Sequence, residues 1–227
     1  MEKKEFDEKY RARLERLATT NVADALDALD YHYLPYGIIP MNQTATKIVG
    51  RAITVKITAA GMTKTKAHMV HKAVDIAEEG DVIVIANGGN LDYNCWGGIA
   101  AFAAKKKKIA GTVVDGAVRD IDEFNEYDYP VYARGRTVIT ARGRLIEEST
   151  NEMVNFQGVQ VRPGDIVLAD ESGVVFIPIE LLDRVLENAE KLHEKEAAMI
   201  RYIDEGMSLP EAGAKFAYEQ MLQKNAE

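Results

Sequence analysis

The period of the apolar positions changes several times along the chain, and each change marks an element. Over residues 2–17, Phe6, Tyr10, Leu14 and Leu17 form one stripe among charged neighbours, the spacing of a surface helix. Thr19 and Thr20 offer a cap for a second helix, NVADALDAL, with Asp24 expected in its first turn, where the dipole favours an anion. Gly37, Pro40 and the polar run around Asn42 end it. Residues 50–60 alternate in part and are rich in Ile, Val and Thr, which predicts a strand. Helical spacing over 62–78 joins Met69, Val70, Ala73, Val74 and Ile76. Then DVIVIA, Asp81 to Ala86, is a continuous apolar run bounded by glycine, as in a strand buried on both faces. The glycine-rich GGNLDYN reads as a loop. A helix starts near Gly97 with a face of Ala, Ile and Phe, and Lys105 to Lys108 suit the negative end of its dipole. Ile109 to Asp115 is another short buried strand.

Strand, helix, strand in this middle third is the pattern of a crossover in a parallel sheet. Beyond Pro130 come shorter strands with glycine turns: VYARGRTVIT, GRLIEE and VQVRPGDIVLADESGVVFIP, the last a hairpin with DESG as its turn. From Pro178, a stripe of Leu182, Val185, Leu186, Ala189, Leu192, Met199 and Ile203 predicts a long amphipathic helix. Ser208 to Glu211 has the form of a capping box opening a terminal helix. The class is therefore α/β, in one domain over 1–227 with a core at about 18–178 and a C-terminal helical arm at about 179–227. Such an arm packs on the parent domain or a neighbouring subunit, which predicts a homo-oligomer.

Composition narrows the function. With 47% hydrophobic residues and a formal net charge of -8, the chain has the balance of a soluble globular protein, and the charge argues against a main role in holding a polyanion such as nucleic acid. No apolar run approaches the ~20 residues of a membrane span, and the charged N-terminus has no signal-peptide core, which predicts a cytoplasmic protein. Cys95 is the single cysteine, so an intrachain disulfide and a multi-cysteine zinc site are excluded. It reads either as a nucleophile or as a small buried residue.

Candidate chemistry gathers between Gly88 and Glu123, because ligands of parallel sheets collect at the carboxyl ends of strands and both GGN and Arg119-Asp120 follow strands. Arg119 supplies a planar donor fork for a carboxylate, and Asp120 a hard oxygen for a divalent cation. The helix start at Gly97 and Gly98 offers free amides and close backbone approach. Together these suit a small carboxylic acid chelated to a metal; the plainer reading is a surface Arg–Asp pair beside a helix cap. Carboxylates without clustered His or Cys favour magnesium over zinc. His68 and His71, three apart, read as packing residues or as a metal pair, while His32 and His193 lack a supporting pattern. Lys56, Lys64 and Lys66 are conceivable Schiff-base lysines that nothing local singles out. No Walker loop, dinucleotide fingerprint or nucleophile elbow is present.

At these residues the sequence resembles the family related to the regulator of ribonuclease activity A, which includes the 4-hydroxy-4-methyl-2-oxoglutarate/4-carboxy-4-hydroxy-2-oxoadipate aldolases. The pattern is Trp96-Gly97-Gly98 followed by Arg119-Asp120-x-x-Glu123, supported by TTNVADAL, EEGDVIVI, PVYARG and RPGDIVLADESGVVFIP, over about residues 18–205. The resemblance implies a swivelling β/β/α domain with N-terminal helices, assembled as trimers or hexamers. In the enzymatic members it implies a class II pyruvate aldolase, dependent on Mg2+ or Mn2+, acting on a 2-oxo acid, with oxaloacetate decarboxylation through the same enolate. By carry-over, Asp120 holds the metal, and Arg119 binds the substrate's carboxylate and keto region. Amides of Gly97, Gly98, Ile99 and Ala100 complete the cradle; the base on the C4 hydroxyl is either a metal-organised water or a carboxylate such as Glu123. The chain departs from aldolase members that carry an acidic residue at the position of Gly98. Two other readings follow from the resemblance. One is a non-catalytic regulator of a ribonuclease or helicase, a subgroup that lacks the aspartate after the arginine. The other is a sugar-acid isomerase, epimerase or hydratase using the same enolate site.

Overall fold

The computed structural model of the chain describes residues 1–64 and 68–217. Lys66 and the arm beyond residue 217 lie outside the described residues. Runs of Ile and Val build a parallel layer: β2 (Ile48–Ala59), β3 (Val82–Trp96), β4 (Gly111–Val118) and β5 (Val131–Arg136) lie in the order β5-β4-β3-β2. β1 (Ile39–Pro40) adds antiparallel to β5. At the other side, the first residues of β2 pair antiparallel with β9 (Ile166–Asp170), which pairs with β10 (Gly173–Ile177), and its last residues pair with β6 (Leu145–Thr150). β7 (Val154–Phe156) and β8 (Val159–Val161) form a separate hairpin. β4 is buried at every position, because layers cover it on both faces.

On one face, α4 (His71–Ile76), α5 (Gly98–Lys106) and α6 (Ile121–Glu126) share a core with Ile83, Ile85, Val114 and Ala133. On the other, Val82, Val84, Val113 and Tyr132 meet Phe156, Val167 and Phe176 of the second β layer. The layers are thus helix, sheet, sheet, a β/β/α domain. A further core joins β9 and β10 to the N-terminal helices and to α7 (Leu182–Asp204). Those helices are α1 (Lys3–Phe6), a π-helical stretch Asp7–Arg11, α2 (Ala12–Leu14) and α3 (Thr19–Asp27). The predicted stripe of Phe6, Tyr10, Leu14 and Leu17 is buried, and Arg13 grips Glu190 of α7 through two 2.7 Å hydrogen bonds. A short 3-10 turn, Ile179–Leu181, leads into α7, whose stripe is buried from Leu182 to Met199. Ile203 instead stands at the partly exposed end of the helix. α8 (Leu209–Phe216) opens on the expected capping box, Ser208 N–H donating to Glu211 Oε2 at 3.0 Å. No helix of the described residues is long and apolar enough to cross a membrane.

Several expectations are corrected. α3 starts at Thr19, whose N–H and hydroxyl bind Asp170 at 2.8 and 2.7 Å, and Asn21 caps Ala18. Asp24 therefore lies in mid-helix, where burial raises its carboxyl pKa. The helix expected over 62–78 is confined to His71–Ile76, because Val70 is left-handed (φ 67°) and its N–H is held by Glu147 at 2.7 Å. GGNLDYN is an irregular continuation of β3, with Asn90 opposite Gly116 and Asn94 opposite Ala117. On α5 only the small residues face inward; Ile99 and Phe102 are exposed.

Candidate functional site

Three parallel strands end side by side. Trp96 of β3 pairs with Val118 of β4, and Val118 pairs with Arg136 of β5. Each strand then delivers its next residues to one corner. Arg119 N–H donates to the Trp96 carbonyl at 3.1 Å, and Thr137 N–H to the Val118 carbonyl at 3.0 Å. The corner is thus fixed by backbone bonds before any side chain contributes.

Asp120 turns the chain from β4 into α6 with a left-handed backbone (φ 63°, ψ 44°). Aspartate is among the few residues that adopt this region with modest strain, and such strain collects at functional sites. Its Oδ2 accepts the Gly98 N–H at 3.0 Å, so Asp120 caps α5 from the neighbouring strand end. That bond takes one of the free first-turn donors of α5 and leaves the N–H groups of Ile99 and Ala100 without intrahelical acceptors. Of the cradle amides expected from sequence, Gly98's is therefore already engaged.

The two glycines leave room for neighbouring carboxylates. A Cβ on Gly97 would stand 2.7 Å from Asp120 Oδ2. A Cβ on Gly98 would stand 1.5 Å from Glu123 Oε2 and 2.5 Å from its Cδ. Glu123, in the first turn of α6, therefore lays its carboxylate directly over the start of α5, where it also accepts from the Tyr127 hydroxyl at 3.4 Å. One turn further along both helices, the Tyr127 ring meets Phe102 edge-on at 5.2 Å. Sequence reasoning did not single out Tyr127. The matched i, i+4 steps Gly98–Phe102 and Glu123–Tyr127 are the signal that finds it.

Arg119 completes the corner. Its Nε lies 3.5 Å from Asp120 Oδ2, too poorly aligned to hydrogen-bond, and is buried without a partner. Trp96 Nε1 is likewise buried and unpartnered. Each orphaned donor costs on the order of 1–3 kcal/mol, and natural folds tolerate few of them.

Among the described residues, no three His, Cys, Asp or Glu side chains gather as a metal cage. The Asp120 carboxylate, a hard oxygen donor at the start of α5, is the group that would hold magnesium or manganese, ions that keep water and ligand oxygens in their shell. The donor chemistry fits such an ion and not a structural zinc. His68 and His71 stack ring on ring at 4.9 Å with no third ligand. Cys95 is buried between Asn87 and the Ala117 carbonyl, and burial pushes its thiol up to about 12, which suits a packing residue and not a nucleophile. Lys56 pairs with Glu148 at 2.6 Å.

Residues 19–176 match the family model described as RraA-like, Aldolase/RraA. The protein named "Putative 4-hydroxy-4-methyl-2-oxoglutarate aldolase" of Halalkalibacterium halodurans is 35% identical over 191 residues, covering 84% of this chain and 87% of that protein. Protein DlpA of Legionella pneumophila is 31% identical over 210 residues, 91% of this chain, and the chain spans 34% of its length. A crystal structure from Pseudomonas syringae pv. tomato superposes with a TM-score of 0.79 at 31% identity, covering 88% of this chain and 94% of that one.

Proposed function

The chain belongs to the RraA-like family, and from that premise we propose that it is a divalent-metal-dependent lyase of the class II aldolase type, releasing pyruvate from a 4-hydroxy-2-oxo acid. The observation that carries this reading is the position of Asp120 and Glu123, each of which lays its carboxylate against Gly98 at the start of α5, with Arg119 Nε 3.5 Å from Asp120. Asp120 would hold magnesium or manganese, which when bound would supply Lewis-acid polarisation of the 2-oxo group.

The chain's own residues account for binding and proton transfer. Arg119 presents a planar fork to the substrate's first carboxylate, and the free amides of Ile99 and Ala100 serve the remaining anionic oxygens at the positive end of α5. Glu123 takes the proton of the C4 hydroxyl as the C3–C4 bond breaks. The electrons of that bond pass into C3 and the 2-oxo group as pyruvate enolate, and C4 leaves as a carbonyl compound. Returning a proton to C3 gives pyruvate. Tyr127 steadies Glu123 through its hydroxyl and is itself braced on Phe102. Oxaloacetate reaches the same enolate by losing carbon dioxide, so decarboxylation is the expected second activity.

The test is pyruvate release from candidate oxo acids with magnesium, read through lactate dehydrogenase. Activity that vanishes with EDTA and in Asp120→Ala supports the reading; activity indifferent to both overturns it.

A further inference from the structure

The amino ends of the parallel strands, opposite the lyase corner, hold a cleft of about 390 Å³ that the proposed reaction does not use. It opens where β2, β4 and β5 begin, between the N-terminal helices and the ends of α5 and α6. The length of β4, roughly 25 Å, separates it from Arg119. Its volume lies in the range of small-ligand sites, roughly 300–1,000 Å³. Arg11, Lys47, Lys105 and Lys108 line it, with the carboxylates of Glu15 and Asp128. Four cations against two carboxylates leave two positive charges in surplus, in a chain whose formal net charge is -8.

How these cations are held decides what they can still bind. Lys47 Nζ donates to the carbonyls of Leu17 at 2.6 Å and Glu15 at 3.2 Å, which orient the ammonium group without neutralising it. Arg11 gives its two terminal nitrogens to the carbonyls of Val49 and Gly80. Only its Nε meets a carboxylate, Asp7 at 2.7 Å, and Lys3 shares that carboxylate. Lys105 and Lys108 do pair with acids, Asp128 at 3.2 Å and Glu79 at 3.3 Å, but all four side chains are exposed. Such surface pairs are weakly held, so a multiply charged ligand can take over both ammonium groups. The residue types then narrow the ligand. Lysine is a compact point charge with rotatable donors, which suits the spread oxygens of phosphate groups better than the plane of one carboxylate.

We propose that this cleft is a second binding site, which takes a small molecule carrying a diphosphate group. Lys47 and Arg11 supply the charge at its inner wall, and Lys105 and Lys108 close on the ligand from the end of α5. The site stands apart from the lyase reading and draws on none of its residues.

The test is calorimetric titration of the full chain, stripped of metal with a chelator and dialysed, with pyrophosphate and with orthophosphate. The proteins compared are the unaltered chain, Lys47→Ala, the double variant Lys105→Ala/Lys108→Ala, and Arg119→Ala. Pyrophosphate should bind about tenfold more tightly than orthophosphate, and less tightly as salt rises. The double variant should bind pyrophosphate about tenfold more weakly yet melt with the unaltered chain, because the pairs it removes are exposed. Lys47→Ala should weaken binding about 10- to 100-fold, and the double variant decides the matter if Lys47→Ala does not fold. Arg119→Ala, at the other end of the sheet, should bind pyrophosphate as the unaltered chain does. ADP in a further arm separates the sources of the group: affinity equal to that of pyrophosphate upholds a site for the diphosphate alone, and a gain upholds one that also receives the nucleoside. No binding of pyrophosphate, unchanged affinity in the double variant, or binding lost in Arg119→Ala overturns the inference, and the four cations then serve only the fold. The double variant should release pyruvate at the unaltered rate, so a failed lyase assay and a failed titration are separate results.

Discussion

Replacing Gly98 by alanine puts a methyl carbon where the Glu123 carboxylate now lies, 1.5 Å from Oε2 and 2.5 Å from Cδ. The carboxylate must retreat by about 2 Å to restore ordinary van der Waals contact, and Glu123 Cβ, at 3.2 Å, leaves little room for a smaller adjustment. The retreat gives up the long 3.4 Å bond from the solvent-facing Tyr127 hydroxyl, while alanine in a helix gains up to about 1 kcal/mol over glycine. These nearly cancel, so stability should change by less than about 1 kcal/mol, a melting shift of roughly 2–4 °C for a chain of this size. Activity should respond very differently, because a displaced proton acceptor typically costs about 10²- to 10⁴-fold. The assay pairs thermal unfolding with pyruvate release for Gly98→Ala, Glu123→Ala and the double variant. Once the carboxylate is gone the methyl group displaces nothing, so the double variant should match Glu123→Ala. Full activity in Gly98→Ala, or independent multiplying losses, would refute the reasoning.

Asp120→Ala should lose about 1–3 kcal/mol of stability, since alanine is strained at φ 63° and Gly98 N–H loses its acceptor. Asp120→Asn tolerates that backbone and still accepts the N–H, so it should melt near the unaltered chain while losing metal-dependent activity; equal melting of the two variants contradicts the cap. With its thiol pushed up to about 12, Cys95 should resist a disulfide reagent at pH 8 in the folded protein and react fully once denatured. Rapid labelling of the native state would show the site is open. The two hydrogen bonds of Arg162 hold the Glu180 carboxyl down at about 2, below its ordinary 4.5. The stability it contributes is present above the ordinary value and lost as pH falls through about 2. The pair is largely exposed, so the contribution stays under about 1 kcal/mol. Arg162→Ala should return the Glu180 titration, followed by carboxyl NMR, toward the ordinary range; no movement contradicts the pairing.

What the sequence disclosed and what it hid differ in physical kind. Buried strands announce themselves through local composition, so DVIVIA and IAGTVVD were legible, as were the stripes of the N-terminal helix and α7 and the Ser208–Glu211 box. GGNLDYN was not, because glycine and asparagine favour turns locally, whereas here Gly88 and Gly89 take positive φ and let Asn90 and Asn94 rejoin β4. Val70 interrupts a good helical period for a reason outside its window, the Glu147 carboxylate on β6. At the site, Arg119, Asp120 and Glu123 stood out as a charge cluster after a strand. The contact of Glu123 with Gly98 arises from the packing of α6 on α5, which no local pattern encodes, and it assigns Gly98 a second use beyond backbone access.

The lyase reading stands on Asp120 as the holder of a divalent cation at the start of α5, with an oxo acid between that cation and Arg119. A crystal structure with magnesium and oxalate, a planar mimic of pyruvate enolate, addresses it most directly. Magnesium should sit on the Asp120 carboxylate, with oxalate bound to it, to Arg119 and to the amides of Ile99 and Ala100. Oxalate bound elsewhere, or a corner that excludes metal while Asp120 stays locked on Gly98 N–H, would contradict it.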